Sequence, residues 1–254
     1  MGDGKNNFKG ITSFTLHISA MIFMLLDHLW FLIFPNHIWL NVVGRFAFPI
    51  FSFLIVEGFH HTKNFTKYLI RLFIFALISE IPFNLFVGLE IIYPYYQNVL
   101  WTFLISLAVL WVIEKIKAGN VSLIVKMLLI AAVCALSFAV SVLFNTDYNM
   151  YGVAMVLVFY FFRGRKWYFL IAQTIAFIYI NCFWVNSLEY GYTIFNYKIY
   201  IPQQVFAVFA LPIIWLYNGK QGFHNKGVKY LFYVFYPAHM LLLFLIKIIF
   251  YPFL

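Results

Sequence analysis

The sequence predicts an all-α protein: a polytopic transmembrane helix bundle of about nine helices, forming a single domain over residues 1–254. Three observations predict it. Hydrophobic residues make up 65 % of the chain and charged ones only 10 %, against roughly 25 % charged in soluble domains. Apolar runs of about 20 residues recur, the length that spans a hydrocarbon core at 1.5 Å per residue. These runs are continuous rather than alternating over about 10 residues, which excludes a transmembrane β-barrel.

The first run, 11–34, is too long for a signal-peptide core of about 7–15 residues and lacks a small-residue cleavage site. It contains Asp27-His28. The second, 39–58, carries Arg45, and the third, 67–89, is interrupted by Pro82. A fourth covers 96–115 with Asn98 near its start, and a fifth covers 121–144. The sixth, 148–162, is at the low edge of spanning length. Runs at 167–187, 201–218 and 228–251 complete the set, the last holding Pro237 and His239.

Basic residues orient the bundle. With the N-terminus inside, 14 of the 17 fall on cytoplasmic connectors or adjoining helix ends, from Lys5 and Lys9 to Lys226 and Lys229. Only Lys198 and Lys247 lie outside, and Arg45 lies within a helix. The positive-inside rule then puts the N-terminus inside and the C-terminus outside. The same distribution accounts for the net charge of +9, so no nucleic-acid partner is inferred. Cys134 and Cys182 sit within apolar runs and read as small buried hydrophobes. No repeat is visible and the helix count is odd, which argues against a transporter built from inverted halves.

Ionisable groups inside such runs are costly and mark function. His28 and Arg45 each fall about 9 Å below the outer interface, with Asp27 beside His28. Neighbours on a helix point about 100° apart, so Asp27 is expected to meet Arg45 and leave His28 facing a cavity. The alternative is a structural ion pair with His28 as bystander. Glu80 and Asn84 flank Pro82, and Asn98 follows on the next helix. One polar chamber gathering all six residues is the simplest reading, although separate local pairings would look the same. At the inner ends of the second and third runs, Glu57, His60, His61, Lys63 and Arg71 form a second cluster, suited by charge to phosphates of a cytosolic cofactor. Adjacent histidines lack zinc spacing, so no metal is expected. His239 lies at mid-membrane, where a structural hydrogen bond and catalysis are both open.

Several stretches resemble the TraX family, membrane proteins associated with N-terminal acetylation of conjugative pilin. They are Met24-Leu25-Leu26-Asp27-His28, Gly44-Arg45-Phe46-Ala47-Phe48-Pro49 and Ser79-Glu80-Ile81-Pro82-Phe83-Asn84. Asn98-Val99-Leu100, Asp147-Tyr148-Asn149-Met150-Tyr151-Gly152 and Tyr236-Pro237-Ala238-His239 continue the series. The family is similar to membrane acyltransferases that move an acyl group from cytosolic acyl-CoA to an outer acceptor. The resemblance implies an acetyltransferase of the bacterial cytoplasmic membrane, surrounded by membrane lipid. Acetyl-CoA would be the donor, bound at the inner cluster. A pilin-like protein or envelope glycan would offer an amine or hydroxyl in the outer chamber. His28 would act as general base, with transient acylation as the other possibility, and Asp27 with Arg45 would fix the local charge. Asn84, Asn98 or Arg45 would serve the oxyanion. Two readings compete: a proton-coupled transporter or channel using Asp27, His28 and Glu80, and a non-catalytic partner in envelope or pilus assembly.

Overall fold

The computed structural model describes residues 9–185, 187–194 and 197–250. Lys5, position 186 and the end of the ninth run at 251 lie outside them. Within this range the chain is a helix bundle. Helix α1, Ser13–Leu32, is capped by Thr12, whose hydroxyl accepts from the Thr15 amide. The second run is not one helix, as expected, but two: α2, Ile38–Gly44, and α3, Ala47–His61. Pro49 explains the break. It has no N–H for the carbonyl of Arg45, so the helical ladder cannot pass through that turn.

Asn64 caps α4, Phe65–Gly88, its side chain accepting from the Lys67 amide at 2.9 Å. Asn98 caps α5, Val99–Ala118, and Ser122 caps α6, Leu123–Leu143. Helix α7 covers Asn149–Phe161, and α8, Trp167–Tyr179, continues as a π-helical turn over Ile180–Trp184. An antiparallel hairpin then intervenes, β1 (Glu189–Ile194) pairing with β2 (Tyr197–Pro202) in the register Glu189↔Pro202. The purely helical reading did not include it. The eighth run begins as a 3₁₀ segment, Gln203–Phe209, before α9, Ala210–Trp215. The long α10, Lys226–Phe250, closes the bundle.

Seven helical stretches are long and apolar enough to cross a membrane, while Asn149–Phe161 and Gln203–Trp215 are apolar but shorter. Helices α3, α5 and α7 form the centre, where Ile50, Val56, Leu107, Leu110, Met155 and Val156 are fully buried. Helix α1 packs on α2, α3 and α10, and α10 on α4. Helix α6 packs on α5 and α7 and turns Leu128, Leu136 and Leu143 outward.

The two ends of the bundle differ chemically. At one, the amide of Ile11 donates to the Leu216 carbonyl at 2.8 Å, and Arg163 meets Glu57 at 2.7 Å. Lys117 donates to the Tyr160 hydroxyl at 2.7 Å at the same end. At the other, the Gln97 carbonyl accepts from the Asp147 amide at 2.8 Å, and the hairpin reaches Asn41 through the Tyr190 hydroxyl at 2.6 Å.

Candidate functional site

Two chambers enter the bundle, one toward each end. The chamber toward the basic end encloses about 580 Å³, and the one toward the opposite end about 510 Å³. Both are within the usual range of small-molecule sites. Met24, Phe51, Val99, Phe103 and Tyr236 line both, so a single waist of mostly apolar side chains separates them. The Tyr236 hydroxyl accepts from the Val99 amide at 3.4 Å, tying α10 to the first turn of α5 at this level.

Asp27, His28 and Arg45 line the chamber at the opposite end. The break after α2 is what directs Arg45 toward α1. There its guanidinium forms a direct ion pair with Asp27, both side chains nearly buried. Gly44 makes this approach possible, because a Cβ there would lie 2.4 Å from the Cβ of Asp27. The second Asp27 oxygen accepts from Asn41 at 2.8 Å, and Asn41 in turn accepts from Tyr190 and from Gln203 at 2.5 Å. The hairpin and the 3₁₀ segment are thereby coupled to the ion pair. On its other side Arg45 reaches the Tyr148 hydroxyl at 3.5 Å, while its Nε is buried without a hydrogen-bond partner.

His28 is not free, as the sequence suggested. Its Nδ1 lies 2.7 Å from Nε2 of His239, the ring planes 9° apart and the centroids separated by 4.9 Å, so the rings meet edge to edge. The Nδ1 of His239 lies 2.7 Å from the carbonyl oxygen of Phe235. The first and last helices of the bundle therefore meet through two imidazoles.

The expectation of one chamber for six polar residues needs correction. Glu80, Asn84 and Asn98 do not line it; each is used in local pairing. Glu80 accepts from Asn98 and from the Trp101 indole at 2.5 Å. Asn98 also donates to the Ala76 carbonyl at 2.9 Å and caps α5, while Asn84 donates to the Ile91 carbonyl at 3.1 Å. A helix start and a tight connector engage these side chains, although the amide oxygen of Asn84 is buried without a partner.

Their place is taken by Asp147 and Tyr148, which the sequence singled out only as part of a stretch resembling the family. Tyr96 donates to Asp147 at 2.6 Å. Burial pushes the Asp147 carboxyl up to about 6, against the opposing effects of the Tyr96 hydrogen bond and the Arg45 cation. Tyr148 adopts φ 61°, a costly conformation for a bulky residue. Its ring stacks on Phe48 with centroids 3.8 Å apart, which holds the hydroxyl against Arg45. The run 147–153 carried a signal only through the family resemblance.

At the basic end, His61, Lys63 and Arg71 line the chamber and are joined by His17, His224 and Lys229. Arg71 sits over the rings of Tyr68 and Tyr233, and its Nε is buried and unpartnered. Glu57 and His60 do not line this chamber. Glu57 is buried against Arg163, and the His60 ring stacks parallel to Tyr160 at 5.8 Å. A carboxylate at helix depth needs a cation, and Arg163 from the α7–α8 connector supplies it. His61 keeps only its Nδ1 engaged, 2.8 Å from the Glu57 carbonyl. Among the described residues, no group of three or more His, Cys, Asp or Glu side chains gathers to hold a metal.

Seven candidate spans around two polar chambers define a multi-pass membrane protein with a buried charged site. The chain belongs to the TraX family: the family model described as TraX protein matches residues 13–247. It is also 31 % identical over 258 residues to the probable fimbrial assembly protein FimC, serogroup H1, of Dichelobacter nodosus. That match covers 91 % of this chain and 94 % of the relative. No solved structure matches the chain.

Proposed function

We propose that the protein is an acetyltransferase of the bacterial cytoplasmic membrane, taking acetyl-CoA from the cytosol and acetylating an amine or hydroxyl presented from the outer side. The observation that carries this reading is the pair of chambers, one basic and one holding His28 and Arg45, meeting at a shared waist. The basic end faces the cytosol, as positive-inside charge demands. Arg71, Lys63, His61 and Lys229 hold the phosphates of the donor there. The orphaned Nε of Arg71, buried in that chamber, fits an anion. The thioester reaches through the waist to the second chamber.

In the reaction a lone pair of the acceptor nitrogen or oxygen attacks the thioester carbon, forming the new C–N or C–O bond. His28 takes the acceptor proton, the C–S bond breaks, and the proton passes to the departing thiolate to give free CoA thiol. The unpartnered Arg45 Nε donates to the oxyanion, a role left to it because Asn84 and Asn98 are engaged elsewhere. Asp27 holds the guanidinium in position and balances its charge.

The relative is named as a fimbrial assembly protein, and a pilin-like protein or an envelope glycan is accordingly the acceptor class. That name also favours a second reading, a non-catalytic assembly partner. Purified protein reconstituted with radiolabelled acetyl-CoA and an envelope fraction separates them. The enzyme releases CoA thiol and labels the envelope, and His28→Ala abolishes both while acetyl-CoA binding persists. A loss in kcat of about 10²–10⁴ is the scale for a general base. Arg71→Ala raises the KM for acetyl-CoA with less effect on kcat, since phosphate contacts serve ground and transition states alike. Parent protein that neither releases thiol nor transfers label is an assembly partner. Proton-coupled solute uptake without acetyl-CoA would instead establish a transporter.

A further inference from the structure

We infer that His239 is a positioning residue that sets the tautomer of His28, so that Nε2 of His28 is the nitrogen that accepts the proton. This rests on the acetyltransferase reading. The argument starts from a carbonyl. The oxygen of Phe235 can only accept, and Nδ1 of His239 lies 2.7 Å from it, so that nitrogen carries the hydrogen. A neutral imidazole has one N–H, and Nε2 of His239 is therefore a lone pair. That lone pair faces Nδ1 of His28 at 2.7 Å. Two lone pairs do not sit at that separation, so Nδ1 of His28 carries the hydrogen and donates it. The remaining nitrogen of His28, Nε2, is left as the base.

Neutrality of both rings follows from their surroundings. They lie edge to edge inside the bundle, and the cation of Arg45 shares the chamber with His28. Placing a further cation beside Arg45 at this depth in the bundle is costly. The rings are also held in place: His28 lies 4.7 Å from Phe86, and His239 stacks on Phe235 at 4.7 Å. The result resembles the second hydrogen bond of a catalytic triad, with a neutral acceptor in place of a carboxylate. It orients the base and selects the nitrogen without adding a negative charge to a chamber that already holds Asp27 and Asp147.

The chain has seven histidines, few enough for nitrogen NMR of the full protein labelled at histidine. In the parent, His28 should show a protonated Nδ1 and an unprotonated Nε2. In His239→Ala, His28 should become a mixture of tautomers. His239→Gln, whose side-chain oxygen can accept at nearly the same place, should restore the parent pattern. Turnover of radiolabelled acetyl-CoA with an envelope fraction should follow. His239→Ala should lose about 10²–10⁴ in kcat, the upper figure being that of a protease whose histidine is held in the wrong tautomer. KM for acetyl-CoA should stay within about twofold, and His239→Gln should recover most of kcat.

Parent protein with its proton on Nε2 of His28 overturns the inference. So does a His239→Ala variant that scrambles the tautomer and keeps its turnover. Parent protein that transfers no acetyl group refutes the enzyme reading and the base role with it, while the nitrogen signals still decide the hydrogen bond.

Discussion

Asp147 is a half-buried carboxyl lining the chamber whose charge the fold disfavours, and that makes it a pH-sensitive element of the site. Its folded value of about 6 is above the ordinary carboxylate range. The folded state thus holds the proton more tightly than the unfolded chain. The stabilisation is fully present below about pH 4 and is lost as pH rises through about 6. Asp147→Asn mimics the protonated acid and removes this dependence. In detergent, the Tm of the parent should match that of Asp147→Asn below about pH 4, fall progressively below it between about pH 4 and 6, and keep a constant difference at higher pH, other groups cancelling in the difference. A constant offset across the range would show that Asp147 does not titrate there.

At the level of elements, the α2–α3 break decides where the charge goes. Gly44 allows the last turn of α2 to lie against Asp27, with no room for a methyl group. Gly44→Ala should therefore push α2 away from α1 and loosen the Asp27–Arg45 pair. The expected cost is about 1–3 kcal/mol, the range for overpacking a close contact. A Tm unchanged in Gly44→Ala would mean that α1 yields freely at Asp27.

The same elements show what sequence could reveal. Apolar runs placed every long helix, because a bilayer demands continuous hydrophobic length. The meeting of Asp27 with Arg45 followed from adjacent runs joined by a short connector. The His28–His239 contact spans 211 residues of sequence, and Arg163 lies 106 residues from Glu57. No local pattern reports such distances. Glu80 and Asn98 misled for the opposite reason. A carboxylate beside a proline suggests a wet chamber, yet a neighbouring cap and an indole satisfied it locally. The hairpin at 189–202 was missed because its Tyr-rich alternation is short and lies between two dominant apolar runs.

For the whole molecule, the sided mechanism requires the basic end to be cytosolic. A reporter inserted in the Arg163–Lys166 connector should be active inside, and one fused after Leu254 active outside. The reverse pattern would place the basic chamber where no cytosolic donor can reach it.

The waist has an electrical consequence. If both chambers admit water, the low-dielectric barrier at this point is not the full bilayer but the short stretch filled by Met24, Phe51, Val99, Phe103 and Tyr236. The membrane voltage, about 2.3 kcal/mol per unit charge at 100 mV, then falls across those few side chains. They are the insulation that keeps a protein hollow from both sides from short-circuiting the proton gradient. Phe103→Ala vesicles should therefore leak protons faster than parent vesicles, and equal leak rates would show that the chambers are dry.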